Sequence, residues 1–186
     1  MHNNNLTVKI ERAISELRRG GKLIVSDVNT GTCVLLVASE LIEKETIQEL
    51  SEQSLSRPSI ILSSNRSNAI GINVKNQPSS ILINKNWSIN DILSLCMPLY
   101  GYEKPLINGV ILESNKSIIS SCLLILRQAR LLPAGLMSII SNVKIENINQ
   151  WAFKNDLLHV ETNDIQSYET SNTDNLTMSV KAKVTI

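Results

Sequence analysis

The spacing of apolar positions changes twice within the first forty residues. Ile10, Ala13, Ile14 and Leu17 recur at helical intervals. Gly20-Gly21 follows, and glycine accepts the left-handed conformation that ends a helix. Leu23-Ile24-Val25 and Val34-Leu35-Leu36-Val37 are then unbroken apolar runs of the kind that strands buried on both faces carry. The turn from Asp27 to Thr32 joins them. The pattern predicts helix, glycine turn, strand, turn and strand, and a site built on this frame would use the turn.

The same reading continues down the chain. A short helix is expected over Glu45 to Gln53, and Pro58 introduces a strand at Ile60-Ile61-Leu62. One or two helical turns follow over Ser64 to Ile70, then a strand at Ile81-Leu82-Ile83. Ser88 and Asp91 have the spacing of a capping box at the head of a helix over Ile89 to Met97. Pro105 to Leu112 predicts a turn and a strand. Asn115 to Leu131 predicts a long helix, with Ile118, Ile119, Cys122, Leu126 and Ala129 at helical intervals. A strand over Leu136 to Ile140, a helix over Ile145 to Phe153, a strand over Leu157 to Val160 and a short helix over Asp164 to Tyr168 complete the alternation. Strands alternating with helices imply an α/β or mixed α+β sandwich. After a polar linker at Thr170 to Asn175, Leu176, Met178, Val180, Ala182, Val184 and Ile186 alternate with polar residues, which predicts a half-buried strand. A boundary is therefore expected near residue 170.

Composition narrows the function classes. A chain of 186 residues is enough for one domain with a sizeable core. The net charge of +1 supplies no field to attract nucleic acid, and aromatic content of 3% leaves the core to Ile, Leu and Val. No signal peptide is evident, and Arg127, Gln128, Arg130 and Pro133 interrupt the most apolar stretch, so no membrane span is expected and a cytoplasmic location is the default. Cys33, Cys96 and Cys122 lack metal-ligand spacing and read as small buried hydrophobes. His2 is expected in a disordered N-terminus, and His159, inside a strand, as a structural histidine. Arg12, Arg18, Arg19 and Lys22 read as a solvated helix face, Asp27, Glu40 and Glu113 as surface carboxylates near strand ends, and Trp87 and Trp151 as core or interface anchors.

Residues 8 to 168 resemble 3,4-dihydroxy-2-butanone 4-phosphate synthase, an enzyme of riboflavin biosynthesis. The likeness rests on the opening helix, Gly-Gly turn and strand pair closing in Val37-Ala38-Ser39-Glu40. It rests further on Pro133-Ala134-Gly135 after the long helix and on Asp164-Ile165-Gln166-Ser167-Tyr168, similar to the family's E-D-L-x-x-Y. The resemblance implies a central mixed sheet flanked by helices, a homodimer, and an ancestral magnesium-dependent lyase acting on ribulose 5-phosphate.

It also implies that the chemistry is lost. Of the family's acidic motif D-D-E-x-R-E-N-E-G-D only Asp27 remains, and the family's Gly-His-Thr-Glu-Ala falls on Ser117, Ile118, Ile119, Ser120 and Ser121. A family glutamate four residues beyond Pro-Ala-Gly falls on Ile139. Isoleucine neither ligates a hard cation nor carries a proton, so no catalytic residue, metal ligand or cofactor is expected. Asp27, Asn115, Lys116 and Ser117 remain candidates for a vestigial phosphosugar pocket, Asn115 to Ser117 because free N–H groups at a helix start attract anions. The Arg-Leu-Leu-Pro-Ala element and the tail resemble proteins in which a degenerate synthase-like domain precedes GTP cyclohydrolase II. The expectation is therefore a non-catalytic dimerisation and support domain at 1–170, with 171–186 leading towards a cyclohydrolase domain. An active lyase with relocated residues is the alternative.

Overall fold

A computed structural model describes the backbone of residues 2–98 and 116–181 and the side chains of residues 5–98 and 116–171. In chain order the elements are α1 (His2–Arg18), β1 (Leu23–Asp27), β2 (Thr32–Ala38), a 3-10 turn (Ser39–Leu41), α2 (Lys44–Ser54), β3 (Ser59–Leu62), α3 (Ser64–Ala69) and β4 (Ser79–Leu82). Then come α4 (Ile89–Cys96), α5 (Lys116–Gln128), β5 (Ala134–Ile139), a second 3-10 turn (Ile145–Asn147), α6 (Ile148–Lys154), β6 (Leu158–Glu161) and α7 (Thr162–Lys181).

Among the described residues the strands form one six-stranded sheet in the order β4-β3-β5-β2-β1-β6. Every pairing is antiparallel except β1 with β6, which is parallel. Both faces are covered. Ile24, Leu35, Val37, Ile60 and Leu136 point to a core shared with α2, α4 and α6. Leu23, Val25, Val34, Leu36 and Met137 point to a second core shared with α1, α5 and α7. Burial on both sides is why the strands carry continuous apolar runs rather than alternation. The architecture is the mixed α+β sandwich expected, with a central mixed sheet between helical layers.

Local signals set the element ends. Gly20 takes the left-handed φ of 83°, and the N–H groups of Gly20 and Gly21 close back on the carbonyls of Leu17 and Glu16. At α4 the Ser88 Oγ accepts from the Asp91 N–H at 3.2 Å while the Asp91 carboxylate accepts from the Ser88 N–H at 2.7 Å, the predicted capping box. At its other end the Arg66 guanidinium donates to the carbonyls of Ser94, Leu95 and Met97, satisfying acceptors that the last helical turn leaves open.

Two expectations are corrected. His2 begins α1 rather than lying in a disordered arm. The segment from Thr170 is no linker followed by a strand: α7 runs without a break from Thr162 to Lys181. No glycine or proline follows Gly135, so nothing interrupts the helix once begun, and the alternation at Leu176, Met178 and Val180 does not override it. The strand expected within Pro105 to Leu112 lies outside the described residues, as do Asn115, Glu113 and residues 182–186.

Candidate functional site

The turn Asp27 to Thr32 and the head of α5 lie at the same end of the molecule. Arg18, at the end of α1, donates through Nε to the Ala129 carbonyl at 2.8 Å, which places the exit of α5 beside the entry to β1. The head of α5 therefore lies at the opposite end of the sheet, where β1 finishes. Ile139 closes β5 there, opposite Val34 of β2. Folding thus gathers Asp27, Lys116, Ser117, Ile118 and Ile139 at one end of the sheet.

Their chemistry is meagre. Asp27 is 1% exposed, and its Oδ1 accepts from the Asn29 N–H at 3.0 Å. The carboxylate thereby organises the hairpin, whose last turn residue, Gly31, sits at φ 67°. Ile118 and Ile119 are each 1% exposed and belong to the core beneath α1 and α7. Ile139 is half-buried against the same core. Lys116, Ser117 and Ser120 are exposed. Ser121 is buried, and its Oγ has no hydrogen-bond partner.

A magnesium ion needs several oxygen ligands around one point. Among the described residues no three of His, Cys, Asp and Glu come together as a metal would require. Asp27, committed to a turn amide, and the buried isoleucines do not fit such an ion. Glu40, at the far end of β2, accepts from the Leu132 N–H and ties the 3-10 turn to the approach to β5. The cysteines are free and buried. Burial pushes the Cys33 thiol up to about 11 and the Cys96 thiol to about 12, and it raises Cys122 further. Thiols so poorly ionised are weak nucleophiles.

One arrangement escaped the sequence. Ser26, His159 and Asn149 form a chain across β1, β6 and α6: the Nε2 of His159 lies 2.7 Å from Ser26 Oγ and its Nδ1 2.6 Å from Asn149 Oδ1. The Asn149 oxygen accepts from Nδ1–H, which leaves Nε2 to accept the Ser26 hydroxyl. Burial first, then the charge of Lys9, push the imidazole down to about 4, with Asp164 opposing them. The order Ser-His-Asn resembles a hydrolase relay, yet Ser26 is 1% exposed within a central strand and no substrate reaches it. The residues are 133 apart in sequence, and only the parallel pairing of β6 with β1 joins them. Neither composition nor local spacing signals that pairing.

The remaining sequence candidates are structural. Arg19 pairs with Glu16, and Lys22 with Glu49 at 2.9 Å. Trp87 and Trp151 are half-buried against the first core, as expected of anchors. Among the described residues no helix is long and apolar enough to cross a membrane.

Comparison with known proteins places the fold. No protein-family model and no curated protein sequence matches the chain. Solved structures do. A 3,4-dihydroxy-2-butanone 4-phosphate synthase of Candida albicans superposes with a TM-score of 0.70 at 19% identity, covering 86% of this chain and 96% of that one. A two-domain 3,4-dihydroxy-2-butanone 4-phosphate synthase from A. baumannii gives 0.68 at 16% identity, covering 88% of this chain and 58% of its own. A synthase crystallised with two magnesium ions gives 0.65 at 12% identity, over 87% of this chain and 96% of that chain. The chain has the fold of these synthases.

Proposed function

We propose that this chain is a non-catalytic form of the synthase fold, which has lost the conversion of ribulose 5-phosphate and serves as a dimerisation and support domain for a GTP cyclohydrolase II in riboflavin biosynthesis. One observation carries the reading: Ile118, which the sequence resemblance assigns to the position of the family histidine, is 1% exposed and packed into the apolar core. A residue so placed neither meets substrate nor moves a proton. The engagement of the Asp27 carboxylate by the Asn29 N–H supports the same view. On this reading residues 1–170 are the degenerate domain, and residues 171–186 lead towards the cyclohydrolase. Asp27, Asn115, Lys116 and Ser117 mark the remnant of the phosphosugar pocket. The two-domain A. baumannii synthase is an instance of this fold joined to a second domain.

The test has two arms. The chain is incubated with ribulose 5-phosphate and magnesium and formate is measured; no release above the uncatalysed background is expected. Losing even one proton-transfer group costs a factor of about 100 to 10,000, and here the histidine and the acidic motif are both replaced. Formate at an enzymatic rate overturns the reading. In the second arm, cyclohydrolase activity and oligomeric state of the longer protein are compared with and without residues 1–170. Support predicts that both fall on deletion, and unchanged values remove the support role.

A further inference from the structure

We propose that the groove between α2 and the turn from β4 to α4 binds a small planar ligand carrying a phosphate, the class to which nucleoside monophosphates belong. The groove encloses about 440 Å³, a size that small-molecule sites take. Segments well apart in sequence build it. Lys44 and Ile47, three residues apart, share one face of α2. Facing them are Arg57, on the approach to β3, and Ile83, Lys85 and Trp87, on the exit from β4. Ile47 and Trp87 pack against the first core, shared with α2, α4 and α6, whereas Ile118 belongs to the second. The groove is therefore on the opposite face of the sheet from α5. Neither Asp27 nor any described residue of the α5 head lines it.

Charge sets this groove apart from two larger cavities beside α1. Lys44, Arg57 and Lys85 line it against one carboxylate, Glu52, whose Oε1 already accepts from Gln48 Nε2 at 2.7 Å. Among the described residues none of the three cations forms an ion pair. In the cavity of about 1060 Å³ between α1 and the α6–β6 junction, Glu11, Glu16 and Asp156 outnumber Arg12 and Arg19, and Arg19 pairs with Glu16. In its neighbour of about 550 Å³, Lys9 is taken by Asp164. A phosphate monoester carries about two negative charges at neutral pH, which matches three cations set against one carboxylate. Arg57 is also held ready. Its Nε donates to the Ile83 carbonyl at 2.8 Å, and its two Nη groups have no partner among the described residues. A guanidinium fixed through Nε keeps those donors for the paired oxygens of a phosphate.

The floor calls for a ring. Ile83 is buried, and Ile47 and Trp87 are half-buried, packed against the core yet still lining the groove. The turn that carries Trp87 is braced on both sides. Asn84 Oδ1 accepts from the Asn86 N–H at 3.1 Å and the Asn84 carbonyl from the Trp87 N–H at 3.0 Å. Ser88 follows at once as the cap of α4. The indole is thus in place before a ligand arrives, which lowers the cost of ordering the site. Indole beside aliphatic side chains suits a flat ring, and such stacking tolerates different bases. An apolar ligand would leave the cations unanswered, and a bare phosphate would leave the indole uncovered. A ring and a phosphate in one molecule answer both.

The chain has two tryptophans, so two indole N–H resonances report on it by NMR, and Trp151→Phe assigns them. The full chain is titrated to about 10 mM with adenosine 5′-monophosphate and, separately, uridine 5′-monophosphate. Adenosine and inorganic phosphate serve as the two halves of the ligand. At least one nucleotide is expected to shift the Trp87 resonance saturably, with half-saturation below about 1 mM, and to leave that of Trp151 in place. Each half is expected to bind at least roughly 10-fold more weakly. Lys44→Gln combined with Lys85→Gln, both exposed positions, is expected to weaken nucleotide binding about 10-fold. No saturable shift of Trp87 with either nucleotide overturns the inference. Phosphate binding as tightly as the nucleotide overturns the ring, and adenosine doing so overturns the phosphate. Binding that the double variant leaves unchanged overturns the assignment to this groove. Should circular dichroism show that variant unfolded, salt decides: wild-type binding must weaken as ionic strength rises, and insensitivity to salt overturns the cationic seat.

Discussion

Between pH 6.5 and about 4 the unfolded chain carries a proton on His159 that the folded chain does not, because burial and Lys9 hold the folded imidazole near 4. The state that binds more protons gains on acidification. Stability that His159 leaves intact at neutral pH is therefore lost as pH falls through this window. After discounting for the partial exposure of the ring, the loss is on the order of 1–2 kcal/mol. Urea midpoints measured at pH 7 and near pH 4 should separate, and His159→Gln should narrow the gap while lowering the midpoint at pH 7. A gap of the same size in the variant would assign the acid sensitivity to other groups. The same bond to Ser26 Oγ that suits neutral imidazole satisfies a hydroxyl in the middle of β1. Buried serines recur in this pattern: Ser54 and Ser138 lie 2.6 Å apart, as do Ser67 and Ser79. Each pair settles two hydroxyls that would otherwise cost free energy in the core.

Among the elements, β5 shows what the glycine of Pro133-Ala134-Gly135 does. A Cβ on Gly135 would stand 2.7 Å from the Val37 carbonyl oxygen and 3.1 Å from Leu126 Cδ1. The glycine is thus required by the approach of β5 to β2 and α5, a demand of packing. Gly31 has a different reason to be glycine: nothing lies within 4 Å of its Cβ position, but its φ is +67°. Asparagine tolerates the second demand and not the first. Gly31→Asn is expected to change stability by well under about 1 kcal/mol, and Gly135→Ala to cost roughly 1–3 kcal/mol by overpacking. Equal denaturant midpoints for the two variants would refute the distinction. The elements most legible in the sequence are those that punctuation defines: α1 with Gly20-Gly21, α4 with Ser88 and Asp91, β5 after Pro133. Where punctuation is absent the reading fails, and α7 is the example. Alternation at Leu176, Met178 and Val180 satisfies a strand template, but strand formation needs a partner edge whereas a helix bonds within itself.

At the scale of the molecule, the synthase frame was legible because order, glycine turns, buried runs and the helical spacing that buries Ile118 are local properties, while the Ser26–His159–Asn149 chain arises only when distant elements pack. This difference bears on what a single side chain could change at the head of α5. Ile118→His would introduce the residue that the sequence resemblance assigns to this position, yet position 118 is 1% exposed in a core with Ile10, Ile14 and Leu126. An imidazole there loses water without gaining a partner, a cost of roughly 1–3 kcal/mol. The variant is expected to lower the denaturant midpoint accordingly, to gain no thermal stabilisation from millimolar magnesium, and to release no formate from ribulose 5-phosphate. Stabilisation by magnesium would mean that oxygen ligands already converge on position 118 and that a single replacement had silenced the site. Without it, the proposed loss of chemistry rests on that whole end of the sheet: a carboxylate engaged by a turn amide, isoleucines packed into the core, and a helix head whose exposed residues, Lys116, Ser117 and Ser120, bring no carboxylate or imidazole.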